Sequence, residues 1–498
     1  MKLEKILEKV EYKCVRGSID REVTDIVYDS RKADGTKAFV CLCGAMADGH
    51  EYIQSAYEKG CRVFITQKET EQTQGLEDIT IVRLENTRKS LSYLSASLFD
   101  YPAEKLTTIA LTGTKGKTAT AFMIKNILEK AGKKTGMIGT MGVFFGQEHY
   151  QTKNTTPESY DIQYYMNEMV KAGCEYLVME VSSQALKVGR TEGLLFDYGL
   201  FTNLSPDHIG EGEHADFEEY VYCKSLLFRQ CRHGIFNIDD EQASAMMKDC
   251  TCDVHTFGIE NKSADLTCEQ MEYLMDSGFI GIDFTTKGVI EGIVKVNTPG
   301  KFSVYNAMAA MLMTHLEGVE LKEMQEALGE TSVRGRVEPV RISNQFNLLI
   351  DYAHNGMSME SLLTTLREYN PHRIVSLFGC GGNRSKLRRY EMGEISGKYA
   401  DFSILTADNS RYERVEDIIE DIKIGIKKTD GEYIVIPDRK EAIKYSIANA
   451  KKGDIVLLLG KGHEDYQEIN GERFPFDERV IIQEVIEELE REGKTWLK

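Results

Sequence analysis

Proline is scarce in this sequence, 8 residues in 498, and it never clusters. That excludes a proline-rich linker or repeat as an organising feature. Long apolar runs are missing as well. No stretch of 18 apolar residues occurs, which excludes a membrane-spanning helix. The opening "MKLEKILEKVEYKC" alternates charged and apolar residues at helical spacing. It lacks the apolar core and cleavage site of a secretory leader. Basic charge is in deficit: 61 Lys and Arg stand against 79 Asp and Glu, a net charge of −18. A nucleic-acid partner needs stripes of Lys and Arg and is not expected, whereas small anions need only local basic pockets. Finally, the 11 cysteines are odd in number, scattered, and contain no CxxC. Cys41 and Cys43 are expected on one strand face, and Cys250 and Cys252 form a second close pair. Neither pair has zinc-site companions at the right spacing, so the thiols are read as reduced, in a cytoplasmic protein.

What is present is the composition of a globular protein, 42% apolar and 28% charged, long enough for several domains. Three segments are expected, with no internal repeat. Residues 1–104 form a small mixed α/β domain with strands "KAFVCLCG" and "CRVFITQ" and a helix near 50–59. Residues 105–336 alternate apolar strands with helices, the pattern of a parallel sheet. Residues 337–498 repeat that alternation through "HRIVSLFG", "DFSILTAD", "EYIVIPD" and "DIVLLLG", closed by the helix "ERVIIQEVIEELEREG". The fold class is therefore α/β: the small domain, a central P-loop-type domain and a C-terminal Rossmann-like domain.

The most specific stretch is "LTGTKGKTAT", after the β-branched strand "LTTIAL". Gly113 and Gly116 let the backbone turn and present N–H groups. Lys117 offers a charge to phosphates, and Thr118 a hydroxyl to Mg²⁺ at the start of a helix. An apolar stripe of Met123, Ile124, Ile127, Leu128 and Ala131 continues that helix, and Gly132 ends it. The spacing G-x-x-G-K-T is shorter than the general phosphate-loop form.

The loop and the strings after it resemble the Mur ligases, in particular the members that add the third residue of the peptidoglycan peptide. Those strings are "YDSRKADG", "NTTPES", "MEVSSQAL", "FTNLSPDHIG", "YVYCKSLLF", "KFSVYNAMAA", "VRGRVEPV", "DYAHN", "FGCGGNRSK", "DNSR" and "GKGHEDYQ", in that order along nearly the whole chain. The resemblance implies an ATP-dependent amide ligase, a monomer acting on small molecules. A carboxylate of UDP-MurNAc-L-Ala-D-Glu takes the γ-phosphate of ATP, and a diamino acid then displaces phosphate.

The resemblance also implies roles. Thr112, Gly113, Thr114, Lys115, Gly116, Lys117 and Thr118 cradle ATP, with Asn306, Arg336, Asp351 and His354 completing its site. Glu180 and Thr118 hold one Mg²⁺ and His208 a second, with Lys224 as an N6-carboxylysine able to hold Mg²⁺ and orient the γ-phosphate. Carbamylation needs a neutral amine and hence a depressed pKa. Ser30, Arg31, Gly44, Asp48 and His50 meet the uridine end. Asn154, Thr155, Thr156, Ser182 and Arg190 meet the peptide end. Arg389, Asp408, Asn409, Arg411, Gly460, His463 and Glu464 receive the amino acid. Ser410 stands where diaminopimelate-adding members carry proline, and Gln184 where many members carry histidine. Arg411 favours meso-diaminopimelate, whose distal carboxylate it would pair. Ser410 and Gln184 keep L-lysine open. A folylpolyglutamate- or cyanophycin-type ligase would share the loop but lack "YDSRK", "NTTPE" and "DNxR". A non-catalytic ATP-binding scaffold would be expected to lose Lys117, Glu180, His208 or Lys224, and all four are present.

Overall fold

The computed structural model describes residues 1–44, 47–210, 212–276 and 279–494. They divide into two compact units, Met1–Thr267 with Met308–Val319, and Cys268–Ala307 with Glu320–Lys498.

The first unit holds two sheets. The smaller runs Lys13–Arg16, Thr80–Arg83, Val63–Thr66, Lys37–Val40, Asp25–Val27 in spatial order. Only the edge strand Lys13–Arg16 is antiparallel. Its inner strands are nearly continuous apolar runs because both faces are covered. The helix Thr87–Leu98 closes one face with Leu91 and Leu94. Asn86 starts it by accepting from the N–H groups of Arg88 and Lys89.

The larger sheet runs Asp253–Gly258, Cys231–Asn237, Phe196–Phe201, Thr107–Thr112, Tyr176–Glu180, Thr135–Gly139, all parallel. An antiparallel pair, Gly142–Phe145 and Glu148–Tyr150, extends one edge. Parallel neighbours need crossovers, and the helices Lys117–Lys130 and Ser159–Lys171 supply them. The strand Thr107–Thr112 lies inside the sheet, flanked by Tyr176–Glu180 and Phe196–Phe201. Its carboxyl end therefore opens among those of its neighbours, where α/β sheets take ligands.

The boundary expected at residue 104 separates two sheets inside one compact unit. Tyr28 donates to Asp161 at 2.8 Å, Tyr160 to Asp25 at 2.7 Å, and Arg88 to Glu158 at 2.9 Å across it. The expectation for Cys41 and Cys43 also needs correction. The strand ends at Val40, leaving Cys41 buried and Cys43 exposed.

The second unit carries the sheet Glu338–Val340, Asn347–Asp351, Ile455–Leu459, Ile374–Phe378, Phe402–Leu405, Tyr433–Val435, parallel apart from its first strand. Helices such as Gly356–Arg367 and Glu478–Arg491 cover its faces, as expected from their apolar periodicity. Residues 268–307 cluster with this unit. The reason is apolar cover. Tyr273 packs edge-on against Tyr369 at 5.1 Å, Ile280 enters the core with Leu362 and Leu366, and the Gly300 N–H donates to the Tyr369 hydroxyl at 2.9 Å.

Candidate active site

In the first unit the loop 113–116 joins the strand Thr107–Thr112 to the helix Lys117–Lys130. Gly113 has φ +149°, and a Cβ there would lie 2.0 Å from Thr202 Oγ1, so only glycine fits. Gly116, left-handed at φ +86°, caps the helix. The buried stripe is Met123, Ile124, Ile127 and Leu128, and the helix stops at Ala131–Gly132 as expected. The outer wall is "FTN": Thr202 Oγ1 and Asn203 Nδ2 donate to the Lys115 carbonyl, and Lys115 N–H donates back to Asn203 Oδ1 at 2.9 Å. Thr112 Oγ1 donates to the Val181 carbonyl, and Thr114 Oγ1 to that of Ser205. The loop is thus held before any phosphate arrives.

Glu180 is fully buried at the end of its strand. Thr118 Oγ1 donates to its Oε2 at 3.0 Å, and Thr140 N–H to its Oε1 at 3.0 Å. Gly139 makes the approach possible, since a Cβ there would stand 2.2 Å from Oε1. Thr140 Oγ1 reaches Thr155 Oγ1 at 3.0 Å, which links this carboxylate to the "NTT" stretch. Thr156 Oγ1 donates to the Glu180 carbonyl and accepts from Ser182 N–H. Arg190 donates to the Thr156 carbonyl at 2.9 Å and to Glu158 at 3.0 Å, while Asn154 is exposed. The residues expected at the peptide end are therefore one connected group apart from Asn154.

Lys224 sits on the helix Phe217–Ser225, 1% exposed, where helical spacing alone suggests a surface lysine. Its Nζ donates to the Gly113 carbonyl at 2.8 Å, the same oxygen that Lys117 Nζ reaches at 2.8 Å. Burial, and then the Lys117 charge, push its pKa well below the ordinary lysine value. His208 is different. It has φ +54°, its side chain is 58% exposed, and its Nδ1 meets Glu213 Oε1 at 3.1 Å. Among the described residues, none of its hydrogen bonds or ion pairs reaches Glu180 or Thr118.

At the expected uridine end, Arg31 is exposed and paired with Asp29, and the Ser30 carbonyl accepts from Lys59. Asp48 gathers His50 Nδ1 at 2.6 Å and Lys68, and Gly44 N–H bonds the Ala47 carbonyl.

In the second unit, Arg336 stacks over Tyr352 at 5.1 Å, and His463 packs on the same ring at 4.8 Å. His354 Nδ1 lies 2.8 Å from the Tyr352 carbonyl. Asp351 accepts from the N–H groups of Val337 and Ala353, and burial raises its pKa despite Arg336 nearby. Asn306 is buried on the helix Lys301–Leu316.

The residues expected to take the amino acid converge. Asn409 Nδ2 donates to Glu464 Oε2 at 2.8 Å, and Gly460 packs within 2.8 Å of Asp408 Oδ2 as measured from its missing Cβ. Burial raises the Glu464 pKa and lowers that of His463 to about 4. Arg411 is left-handed at φ +51°. Its N–H donates to the Glu468 carbonyl, its own carbonyl accepts from Asn470, and its Nη1 donates to the Gly382 carbonyl at 2.8 Å. These backbone bonds hold a turn that proline would otherwise stiffen. Arg389 differs from expectation. It is 1% exposed and committed to Glu413 at 2.8 Å and Asp421 at 2.8 Å, so both terminal nitrogens are already engaged.

Two residues escaped sequence reasoning. Lys461, fully buried, donates to Asn409 Oδ1 at 3.0 Å and lies 3.4–3.5 Å from Asp408 and Glu464. The string "GKGHE" contained it, but a lysine between glycines carries no burial signal. Arg439, also buried, donates to the Ala407 and Leu459 carbonyls while paired with Glu478 at 2.8 Å. No pattern in "PDRKEA" marks it.

A phosphate loop on a parallel sheet, with an acidic strand end and a buried lysine beside it, defines an ATP-using ligase. The chain belongs to the Mur ligase family: residues 22–96 match its catalytic domain, 111–314 its middle domain and 335–462 its glutamate ligase domain. It is 40% identical to UDP-N-acetylmuramoyl-L-alanyl-D-glutamate–2,6-diaminopimelate ligase 1 of Clostridium acetobutylicum, over 98% of this chain and 100% of that one. It is 38% identical to the corresponding ligase of Caldanaerobacter subterraneus, over 99% and 100%. A solved structure of a ligase of that name is similar at TM-score 0.73 and 26% identity, covering 98% of this chain and 99% of the other. Among the described residues, no helix is long and apolar enough to cross a membrane.

Proposed function

We propose that the protein joins meso-diaminopimelate to UDP-MurNAc-L-Ala-D-Glu at the expense of ATP, in peptidoglycan precursor synthesis. The observation that carries the ATP half is the meeting of Lys117 and Lys224 on one loop carbonyl, beside the Thr118–Glu180 pair. Phosphoryl transfer asks a protein mainly for positioning and charge neutralisation. The loop N–H groups and Lys117 hold the β- and γ-phosphates. The substrate's D-Glu carboxylate attacks the γ-phosphorus, giving an acyl phosphate and ADP. The amine of the diamino acid then attacks the acyl carbon and phosphate leaves.

The donor set suits Mg²⁺, since Thr118 hydroxyl and Glu180 carboxylate are hard oxygen ligands and a Lys224 carbamate would add another. When bound, Mg²⁺ supplies positive charge to the phosphate oxygens. Burial and the Lys117 charge lower the pKa of the Lys224 amine, which favours its reaction with CO₂.

For the third amino acid, Arg411 favours diaminopimelate. Its Nε and Nη1 bond Glu468 and Gly382, and among the described residues Nη2 makes no hydrogen bond, so it is available to a distal carboxylate. A lysine substrate would leave Nη2 without that carboxylate. The relatives named above as diaminopimelate ligases support the same choice. The test is phosphate release with ATP, Mg²⁺ and UDP-MurNAc-L-Ala-D-Glu, with meso-diaminopimelate or L-lysine in parallel. Turnover is expected with diaminopimelate alone, and Arg411→Ala should lower its kcat/KM by roughly 10²-fold. Turnover with lysine alone would overturn the assignment.

A further inference from the structure

Beside the ligase site lies a cluster of donors that the reaction does not use. Glu219 and Cys223 stand four residues apart on the helix Phe217–Ser225 and so share one face. His214, from the loop before it, turns toward that face. The ligand atoms of His214, Glu219 and Cys223 all lie within 4.8 Å of one another. His214 Nδ1 is 3.7 Å from Glu219 Oε2. Two ligands of a tetrahedral ion bonded at about 2.1 Å would sit roughly 3.4 Å apart, so little movement is needed.

The imidazole is the second, independent sign. His214 is 1% exposed, and its Nε2 is bonded to Ser183 Oγ at 2.9 Å. Its Nδ1 is buried and has no hydrogen-bond partner. A native interior rarely leaves such an atom unmatched. With Nε2 as the N–H donor to Ser183, Nδ1 presents a lone pair to Glu219 and Cys223. Ser183 on the imidazole and Lys187 on Glu219 at 2.9 Å are the outer partners that orient metal ligands.

A second cluster, Cys43, Asp48 and His50, shows the contrast. There His50 Nε2 accepts the Gln67 N–H at 3.0 Å, so Nδ1 carries the proton and gives it to Asp48. That ring has no lone pair left to bind an ion.

We propose that His214, Glu219 and Cys223 form a site for a thiophilic divalent ion of the Zn²⁺ type, separate from the Mg²⁺ of the ligase reaction. An imidazole, a carboxylate and a thiolate suit Zn²⁺ or Co²⁺, whereas Mg²⁺ avoids sulfur. Binding replaces the Cys223 thiol proton with the metal and releases that proton to solvent. Water would take the fourth position. His214 N–H donates to the His208 carbonyl at 3.0 Å, and Gly210 N–H to that of His214 at 3.0 Å. An occupied site would therefore fasten the loop carrying His208 to the helix carrying Lys224.

The test uses the full chain, stripped with a chelator and titrated with Co²⁺ in the presence of excess Mg²⁺. The expected result is one equivalent bound, with a thiolate-to-Co²⁺ charge-transfer band and a raised melting temperature with Zn²⁺. The band should vanish in Cys223→Ser and weaken at least 10-fold in affinity in Glu219→Gln, whose side chain is partly exposed and whose loss should not prevent folding. Cys43→Ser should keep it. Absence of the band in the parent chain would overturn the proposal, and so would its persistence in Cys223→Ser. Co²⁺ at the oxygen-rich ligase site gives no thiolate band, so the readout does not depend on the ligase assignment.

Discussion

The phosphate loop and the side-chain cluster proposed to take the diamino acid solve opposite problems. The loop is built from backbone: Lys115 and Thr112 are fixed by Thr202, Asn203 and the end of the neighbouring strand, and the amines of Lys117 and Lys224 meet on the Gly113 carbonyl. The pocket is built from side chains that neutralise each other, Lys461 with Asp408, Asn409 and Glu464, and Arg389 with Glu413 and Asp421. A loop that must receive a polyanion gains from backbone N–H groups fixed in place beforehand. A site that must tell one zwitterion from another gains from polar groups held in place by their neighbours, with a donor that the wrong substrate leaves unmatched.

The comparison can be broken most severely at the loop. Lys117→Ala should lower ATP-dependent ligation on the order of 10³-fold, and retained turnover in the phosphate-release assay would refute its role. Gly139→Ala comes next. Its methyl would collide with Glu180 Oε1, so turnover should fall about 10²-fold with diaminopimelate KM little changed. In the pocket the effect should move to the other parameter. Lys461→Met removes the charge that binds three pocket residues, and the diaminopimelate KM should rise about 10-fold while ATP KM stays constant. The smallest effect concerns pH. The folded His463 pKa is about 4 against an ordinary 6.5, so between these values the unfolded chain binds more protons. Stability should fall as pH drops from about 6.5 to about 4 and level off below. Urea midpoints measured across that range should flatten in His463→Gln.

Much of this was legible before any coordinates. Glycine spacing and β-branched runs announce the loop and its strand, because those residues are dictated by local backbone demands. The motif strings likewise anticipate the groups around Glu180 and Glu464. Burial was not legible. Lys224 and Lys461 look like surface residues, and Arg389 like a free cation, because the carboxylates and carbonyls that receive them lie far away in the chain. The packing of Tyr273 was illegible for the same reason: Tyr369, which covers it, is almost a hundred residues later.

Arg439 has a consequence for engineering. One guanidinium holds the carbonyls just before Asp408 and just before Gly460. The two loops proposed to recognise the diamino acid thus hang from a single peg. Grafting one loop from a lysine-adding relative would leave the other anchored in its old register. A chimera with altered amino-acid choice should need both loops exchanged together, along with the Arg439–Glu478 pair that carries them.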